Sequence, residues 1–148
     1  SGAGLVVVEA TAVERLGRIT HGCVGLYNDA NERALKRVLD AARAVALPGT
    51  KFGIQIGHAG RKASSERPWE GGGPLKDNAD PWATVGPSAI PFDEGWHMPR
   101  EMTAQDKLRI AQAFVDAATR AVRLGFDAVE LHMAHGYLLH SVISPISN

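Results

Sequence analysis

The chain has 148 residues, of which 45% are hydrophobic and 22% are charged, the composition of a globular sequence that can bury a core. Sixteen basic residues balance sixteen acidic residues, so the basic excess typical of proteins that bind nucleic acids or membrane surfaces is missing. We therefore expect a small-molecule partner, with no nucleic acid and no membrane.

The single cysteine, Cys23, excludes a disulfide framework within the chain and fits a reducing compartment. The apolar run from Leu5 to Val8 is far shorter than a membrane span, and no charged-then-apolar signal precedes it. We therefore expect a cytoplasmic protein.

The first half of the chain predicts a strand, a helix and a second strand. Leu5 to Ala10 is typical of a parallel strand buried on both faces, and since no element precedes it we expect the chain to begin within a domain. Asn31 to Ala46 predicts an amphipathic helix. Pro48-Gly49 ends the helix, and Lys51 to Gly57 predicts a strand with Gln55 near its C-terminal end. The apolar stripe of the helix comprises Leu35, Val38, Leu39, Ala42 and Val45.

The stretch 58–103 changes character, because it contains six of the eight prolines and all three tryptophans. So long an excursion is typical of a lid or binding loop, and its aromatic content indicates an ordered cap. For Trp69, Trp82 and Trp96, packing within the cap is the expected role of at least two, and substrate contact is the alternative.

The last part of the chain predicts a helix followed by a third strand. Thr103 and Asp106 resemble a capping box, and Gly125 is placed to end the helix. Asp127 to His132 then predicts another buried strand. The apolar stripe of this helix comprises Leu108, Ala111, Phe114, Val115, Ala118 and Val122.

Strands that alternate with helices predict an α/β fold with a parallel sheet, either doubly wound or a (β/α)8 TIM barrel. The turn after the first strand, Ala10 to Val13, lacks a glycine-rich phosphate-binding fingerprint. Polar residues instead follow successive strands, as they do at the rim of a barrel. We expect part of a barrel, since a complete one takes about 200 residues or more. The predicted domain is a single partial barrel over 1–148, with 58–103 as its capping excursion.

Two imidazoles and a phenol follow the third strand together, at His132, His135 and Tyr137. Paired imidazoles can donate hydrogen bonds to an oxygen that gains negative charge, and a phenol can pass a proton to carbon. This combination favours reduction of a polarised double bond. A satisfied buried role is the alternative for any one histidine, but three such groups at one strand end favour a shared function.

Two other hypotheses remain open. His132 and His135, with His58 or Glu130, could bind zinc and activate water, as in a metal-dependent barrel enzyme. Alternatively, the chain is a non-catalytic barrel fragment that needs a complementary chain, because unpaired strand edges are adhesive.

Several ordered segments resemble the old yellow enzyme family of FMN-dependent ene-reductases, and most closely its bacterial xenobiotic reductase or YqjM-like branch. The resemblance implies an FMN-containing (β/α)8 barrel that transfers a hydride from NADPH or NADH to the β-carbon of an activated alkene. Enones, enals, maleimides and nitro compounds are the implied substrates. The segments that carry the resemblance are Val8 to Val13, Gln55 to Lys62, Arg67 to Glu70, His132 to His140 and Ser144 to Asn148.

The resemblance also implies roles for individual residues. His132 and His135 would hold the substrate oxygen, and Tyr137 would donate the proton to the α-carbon. Gln55 would hydrogen-bond the polar edge of the flavin, and Ala10 would let the flavin ring lie close to the backbone. No metal ligand is implied.

The family pattern also includes residues that the resemblance does not place in the reaction, and residues that should lie outside this chain. His58 and Arg61 belong to a matching segment, and we expect them to shape the loop above the site. The family's first strand, with a redox-tuning cysteine, should precede Ser1, and Cys23 is not that cysteine. Basic residues that bind the flavin phosphate should follow Asn148. We therefore expect an internal fragment that binds FMN poorly and is inactive alone, and a homo-oligomer when intact.

Overall fold

The computed structural model describes residues 2–148, and its centre is a three-stranded parallel sheet. The three strands lie side by side in the order in which they occur along the chain. A separate pair of short parallel strands lies within the 58–103 excursion. The central strands are β1 (Leu5–Ala12), β2 (Lys51–Gly57) and β5 (Ala128–Leu131), and the short pair is β3 (Val85–Gly86) and β4 (Arg100–Glu101).

Three helices accompany the sheet: α1 (Asp29–Val45), α2 (Ala104–Leu124) and α3 (Leu138–Ile143). The predicted caps of α2 are present. The Thr103 hydroxyl accepts from the backbone N–H of Asp106, and the Asp106 carboxylate accepts from the backbone N–H of Thr103.

The end of α2 also follows the prediction, since Gly125 has a φ of 89°, the left-handed conformation that glycine adopts without strain. Within residues 2–148, no helix combines the length and the apolar character needed to cross a membrane.

Both long helices cover the same face of the sheet. Phe52, Ile54 and Ile56 alternate along β2 and point their side chains into the core between the sheet and the helices. A sheet with sequential strand order and helices on one face is the arrangement of successive units in a β/α barrel. The other face carries Gln55, paired in register with Glu130.

The outer strands differ from the prediction, which had them buried on both faces. Leu5 of β1 is 52% exposed, and all of β5 is exposed. The reason is that, among residues 2–148, β2 is the only strand that pairs with β1 or β5. Within that range, the outer edge of β1 is covered only at its end, where Ala12 bridges to Gly25.

The buried stripes of the helices were also predicted only in part. In α1, Leu35 and Leu39 are buried, whereas Val45 is 85% exposed. In α2 the predicted Val122 is 70% exposed, because a second apolar stripe faces the sheet in its place. The buried residues of α2 are Ile110, Ala117, Ala121 and Leu124, and the other predicted stripe residues that are exposed are Val38, Leu108, Ala111 and Val115.

The 58–103 excursion consists of short 3-10 turns and the β3–β4 pair. Two of its tryptophans are packed, as expected. The Trp82 indole N–H donates to the carbonyl of Leu16 over 3.0 Å, and the Trp96 ring lies edge-on to Phe92 with centroids 5.0 Å apart. Trp69, by contrast, is 80% exposed.

Candidate active site

The turn after β5 brings the three predicted side chains together. The centroid of the His132 ring lies 5.1 Å from that of His135 and 4.8 Å from that of Tyr137, edge-on in both cases. The chain reverses here because His135 and Gly136 have φ angles of 59° and 75°, in the left-handed region. His135 is strained in that conformation, since it carries a Cβ.

The hydrogen-bond network sets the proton position on His132. The backbone N–H of Ala134 donates to Nδ1 of His132 over 3.3 Å, which leaves the proton on Nε2. Burial lowers the pKa of His132, and the electrostatic effects of His135 and Lys62 lower it further, against the opposing effect of Glu130. His132 is therefore a neutral imidazole with one N–H to donate.

Tyr137 is protonated at neutral pH, as tyrosine ordinarily is, and burial of the side chain raises its pKa further. Lys62 lies beside it, with Nζ 4.9 Å from the Tyr137 ring centroid and 4.4 Å from that of Phe92. The same ammonium group donates to the His135 carbonyl over 2.9 Å. Sequence reasoning gave Lys62 no role, although its position soon after β2 placed it at this rim.

Ala10 and Gln55 are joined at the carboxyl ends of β1 and β2. The backbone N–H of Ala10 donates to the Gln55 side-chain oxygen over 3.0 Å, and the Gln55 amide nitrogen donates to Glu130 over 2.9 Å. The register of β1 shifts between Val8 and Thr11, and Ala10 within this irregularity has a φ of 37°. Ala10, whose side chain is a single methyl group, therefore lies at a strand end where the pairing is irregular.

A small cavity links several of these residues. It has a volume of about 10 Å³ and is bordered by Ala10, His58, His132 and Tyr137. Four of the five predicted site residues are thus brought together, three around this cavity and His135 against His132. Gln55 does not border the cavity, and a hydrogen bond with Ala10 connects it to the group.

His58 is buried and hydrogen-bonds to residues of several loops. These contacts fit the role expected for it, which is to shape the loop above the site. Its Nδ1 accepts from the backbone N–H of Gly60 over 3.0 Å, so its proton lies on Nε2, 2.8 Å from the carboxylate of Glu14. Its carbonyl accepts from the backbone N–H of Leu138 over 2.9 Å, which fixes the residue next to Tyr137.

Glu14 was missed by the sequence reasoning. Burial opposes ionisation of Glu14, but the hydrogen bond with His58 and the charge of Arg109 outweigh it and lower its pKa. Glu14 also forms an ion pair with Arg109 of α2. The sequence carried no signal for this role, since the contact spans 95 residues.

The arrangement of side chains in the described residues does not support the zinc hypothesis. Within the described range 2–148, no group of three His, Cys, Asp or Glu side chains is arranged to hold a metal ion.

Comparison with known protein families gives a match over the whole chain. The model of the NADH:flavin oxidoreductase / NADH oxidase family matches residues 1–148. The NADPH dehydrogenase of Listeria innocua is 45% identical over 147 residues, which cover 99% of this chain and 38% of that protein. An NADH:flavin oxidoreductase of Gibberella zeae is 44% identical over 156 residues, covering 99% of this chain and 36% of that protein.

Solved structures agree with the sequence matches. Morphinone reductase superposes with a TM-score of 0.78 at 28% identity, over 99% of this chain and 40% of that one. The old yellow enzyme from Trypanosoma cruzi gives a TM-score of 0.77 at 29% identity, over 99% of this chain and 42% of that one. The chain spans about two fifths of the length of the relatives it matches.

These matches confirm the predicted resemblance to old yellow enzymes and the predicted fold, part of a (β/α)8 barrel. The family description names NADH and flavin, so the predicted cofactors, FMN with NADPH or NADH, are confirmed at the level of the family.

Proposed function

This chain belongs to the NADH:flavin oxidoreductase / NADH oxidase family, and we propose that it carries the substrate-binding side of an FMN-dependent ene-reductase. The proposed substrates are enones, enals, maleimides and nitro compounds, with NADPH or NADH as reductant. The observation that carries the proposal is the cluster of His132, His135 and Tyr137, in which a neutral imidazole donor lies against a protonated phenol.

The residues at the ends of β1 and β2 fit FMN. Bound FMN supplies hydride transfer from the nicotinamide to the β-carbon of the alkene. Gln55 carries both a donor and an acceptor, which suits the polar edge of a flavin, and its side chain lies on the face of the sheet that the helices do not cover. Ala10 offers a backbone that a flat ring can approach, since its side chain is a single methyl group.

The two histidines would bind the activating oxygen of the substrate. Because Nδ1 of His132 accepts from the Ala134 N–H, His132 has its Nε2 proton to donate. His135 supplies a second imidazole, whose ring centroid lies 5.1 Å from that of His132. Donors fixed in advance at an oxygen that gains charge typically contribute about 10²–10³ in rate.

Tyr137 would complete the reduction as the proton donor. The β-carbon receives the hydride, the α-carbon receives the phenolic proton of Tyr137, and solvent returns a proton to the phenolate. A phenol with a raised pKa holds its proton until the carbanion character of the α-carbon draws it away.

We further propose that 58–103 acts as a cap over the site and that activity requires more of the barrel than these 148 residues. The contacts of Lys62 and Phe92 support the cap, since the Lys62 ammonium lies over both the Phe92 and Tyr137 rings. The exposed edges of β1 and β5 support the need for further strands. A homo-oligomeric, cytoplasmic enzyme completes the proposal.

The direct test is product formation. Full-length protein loaded with FMN is incubated without oxygen with NADPH and 2-cyclohexenone, and the products are separated by gas chromatography. We expect one cyclohexanone for each NADPH oxidised, with no effect of a metal chelator. NADPH-dependent chemistry that leaves cyclohexenone, an enal and a nitroalkene unchanged would refute the ene-reductase proposal, and loss of activity with chelator would revive the metal hypothesis.

A further inference from the structure

A groove of about 410 Å³ opens beside the proposed active site, between the loop that follows β1 and the turn at Pro68–Glu70. One end of the groove is bordered by Ala10 and Tyr137, so it is continuous with the reacting cluster. Its apolar lining includes Ile19, Val24, Pro68 and Trp69.

Trp69 is the unusual member of this lining, because a large aromatic side chain that is 80% exposed is held on a rigid turn. Pro68 fixes the first residue of that turn. The backbone N–H of Arg67 and its guanidinium both donate to the Glu70 carboxylate, over 3.4 and 2.9 Å. The indole is thus presented to the groove at a fixed position without being covered by the rest of the described chain.

The charges around the groove favour a neutral occupant. Among the described residues that line it, the only basic side chain is Arg67, and that charge is paired with Glu70. Glu9 also borders the groove and adds a negative charge. An anionic group would therefore be repelled, whereas a flat apolar group could lie against the indole.

The position of the groove indicates which side of the bound substrate it would contact. The groove borders Tyr137 but neither His132 nor His135. In the proposed reaction the histidines hold the oxygen and Tyr137 faces the α-carbon, so the groove lies beside the α-carbon.

We propose that this groove is a specificity subsite for a neutral, flat substituent on the α-carbon of the alkene, with Trp69 as its recognition residue. The inference rests on the proposed function. A well-placed aromatic contact is worth about 10-fold in affinity, so substrates that carry such a substituent bind more tightly than unsubstituted ones.

The experiment measures dissociation constants on full-length, FMN-loaded protein from the shift of the flavin absorption, alongside kcat/KM. The probes are 2-cyclohexenone, 2-benzyl-2-cyclohexenone, its 3-benzyl isomer, and the 2-benzyl compound with a carboxylate on the ring. We expect Trp69→Ala to weaken binding of the 2-benzyl compound by about 10-fold and to leave 2-cyclohexenone and the 3-benzyl isomer unchanged.

Two further variants and a control separate recognition from a general defect. Trp69→Phe retains a flat ring and is expected to retain most of the preference, and Val24→Ala should give a smaller loss with the same selectivity. The matched control is Met98→Ala, which removes a side chain that is 66% exposed in the same excursion but does not line the groove. It should change none of the constants.

Three results would overturn the inference. Unchanged binding of the 2-benzyl compound by Trp69→Ala would do so, as would an equal loss for all probes, or equal wild-type affinity for the carboxylated and neutral compounds. If the wild type still reduces 2-cyclohexenone in those cases, the proposed function stands and only the subsite falls. If the wild type reduces no alkene at all, both the proposed function and the proposed subsite are refuted.

Discussion

Tyr137 lies half-buried beside His132 and Lys62. Its hydroxyl is protonated at neutral pH, as in any tyrosine, and burial raises its pKa further. Replacing Tyr137 by Phe keeps the ring and removes the proton. We expect Tyr137→Phe to slow transfer to cyclohexenone by about 10²–10⁴, the usual contribution of a general acid. Stopped-flow absorbance of the reduced, full-length protein mixed with cyclohexenone measures this step.

The matched control for Tyr137 is Tyr27→Phe, which removes the other phenol of the chain and lies outside the cluster. The Tyr27 variant should react at the wild-type rate. Equal rates for the Tyr137 variant and the wild type would show that another group delivers the proton.

Some site residues could be predicted from the sequence and others could not, for a physical reason. His132, His135 and Tyr137 all follow one strand within six residues, so position along the chain was enough to place them together. Glu14 and Lys62 act through contacts with residues 44 to 95 positions away. The position of Lys62 soon after β2 indicates the rim of the sheet, but local spacing indicates neither its partners nor those of Glu14.

At the scale of elements, the turn after β2 packs closely against the start of α3, and Gly60 makes this packing feasible. Gly60 has a φ of 60°, and a Cβ built there would lie 3.0 Å from the Cα of Leu138. We expect Gly60→Ala to lower the free energy of unfolding by more than about 1 kcal/mol, through backbone strain and steric overlap together. Urea denaturation followed by circular dichroism measures the change.

Gly73→Ala is the matched control for this substitution, because Gly73 has no atom within 4 Å of a built Cβ and no positive φ. It should change stability little. If both alanine variants unfold at the same urea concentration, the close contact between the two turns is not a determinant of the fold.

Glu32 links α1 to α2, since it accepts hydrogen bonds from Arg120 and Arg123 of α2. The hydrogen bond from Arg123, followed by that from Arg120, lowers the pKa of Glu32 to about 2, against an opposing effect of desolvation. A lowered carboxyl pKa stabilises the fold above the unfolded-state value of about 4.3, and this contribution is lost as the pH falls towards 2.

Glu32→Gln should therefore be less stable than the wild type at neutral pH, and the difference should shrink below about pH 4. Urea midpoints measured across that range test the prediction. The control is Asp40→Asn, which removes a single exposed ion pair with Lys36 on the same helix. It should lower the stability at neutral pH less than Glu32→Gln does. A wild-type advantage that does not change with pH would contradict the assigned role.

The ends of α2 were predictable, whereas α1 begins at Asp29 rather than at the predicted Asn31, and the buried faces of both helices were predicted only in part. Thr103, Asp106 and Gly125 have local conformational preferences that operate wherever the helix packs. The choice between the stripe at Leu108 and the stripe at Ile110 depends on where the sheet lies, and both stripes are apolar. Only tertiary contacts could decide between them.

At the scale of the whole molecule, the alternation of strands and helices predicted a parallel α/β fold, and the polar residues after successive strands favoured a barrel over a doubly wound sheet. Burial of the outer strands could not be predicted, because it depends on neighbours that the described residues do not supply. Leu5 on β1 and Leu131 on β5 are each about half exposed. We expect the isolated chain of 148 residues to associate through these strands and to take up little FMN. Sedimentation velocity over a range of concentrations, with and without FMN, would detect this.

A matched variant tests the strand edge directly. Val7→Lys places a charge on the exposed outer strand β1 and should reduce association, since charged side chains protect strand edges. A monomeric wild-type chain that binds FMN stoichiometrically would contradict the expectation.

The most direct test of the central claim, that these residues form the substrate side of a flavin site, is the visible absorption spectrum of the full-length protein under anaerobic conditions. We predict flavin bands that bleach on addition of NADPH and recover on addition of cyclohexenone, and a cofactor that is identified as FMN after release. A colourless protein that does not take up FMN, or flavin bands that bleach with NADPH and remain bleached after cyclohexenone, would contradict the account.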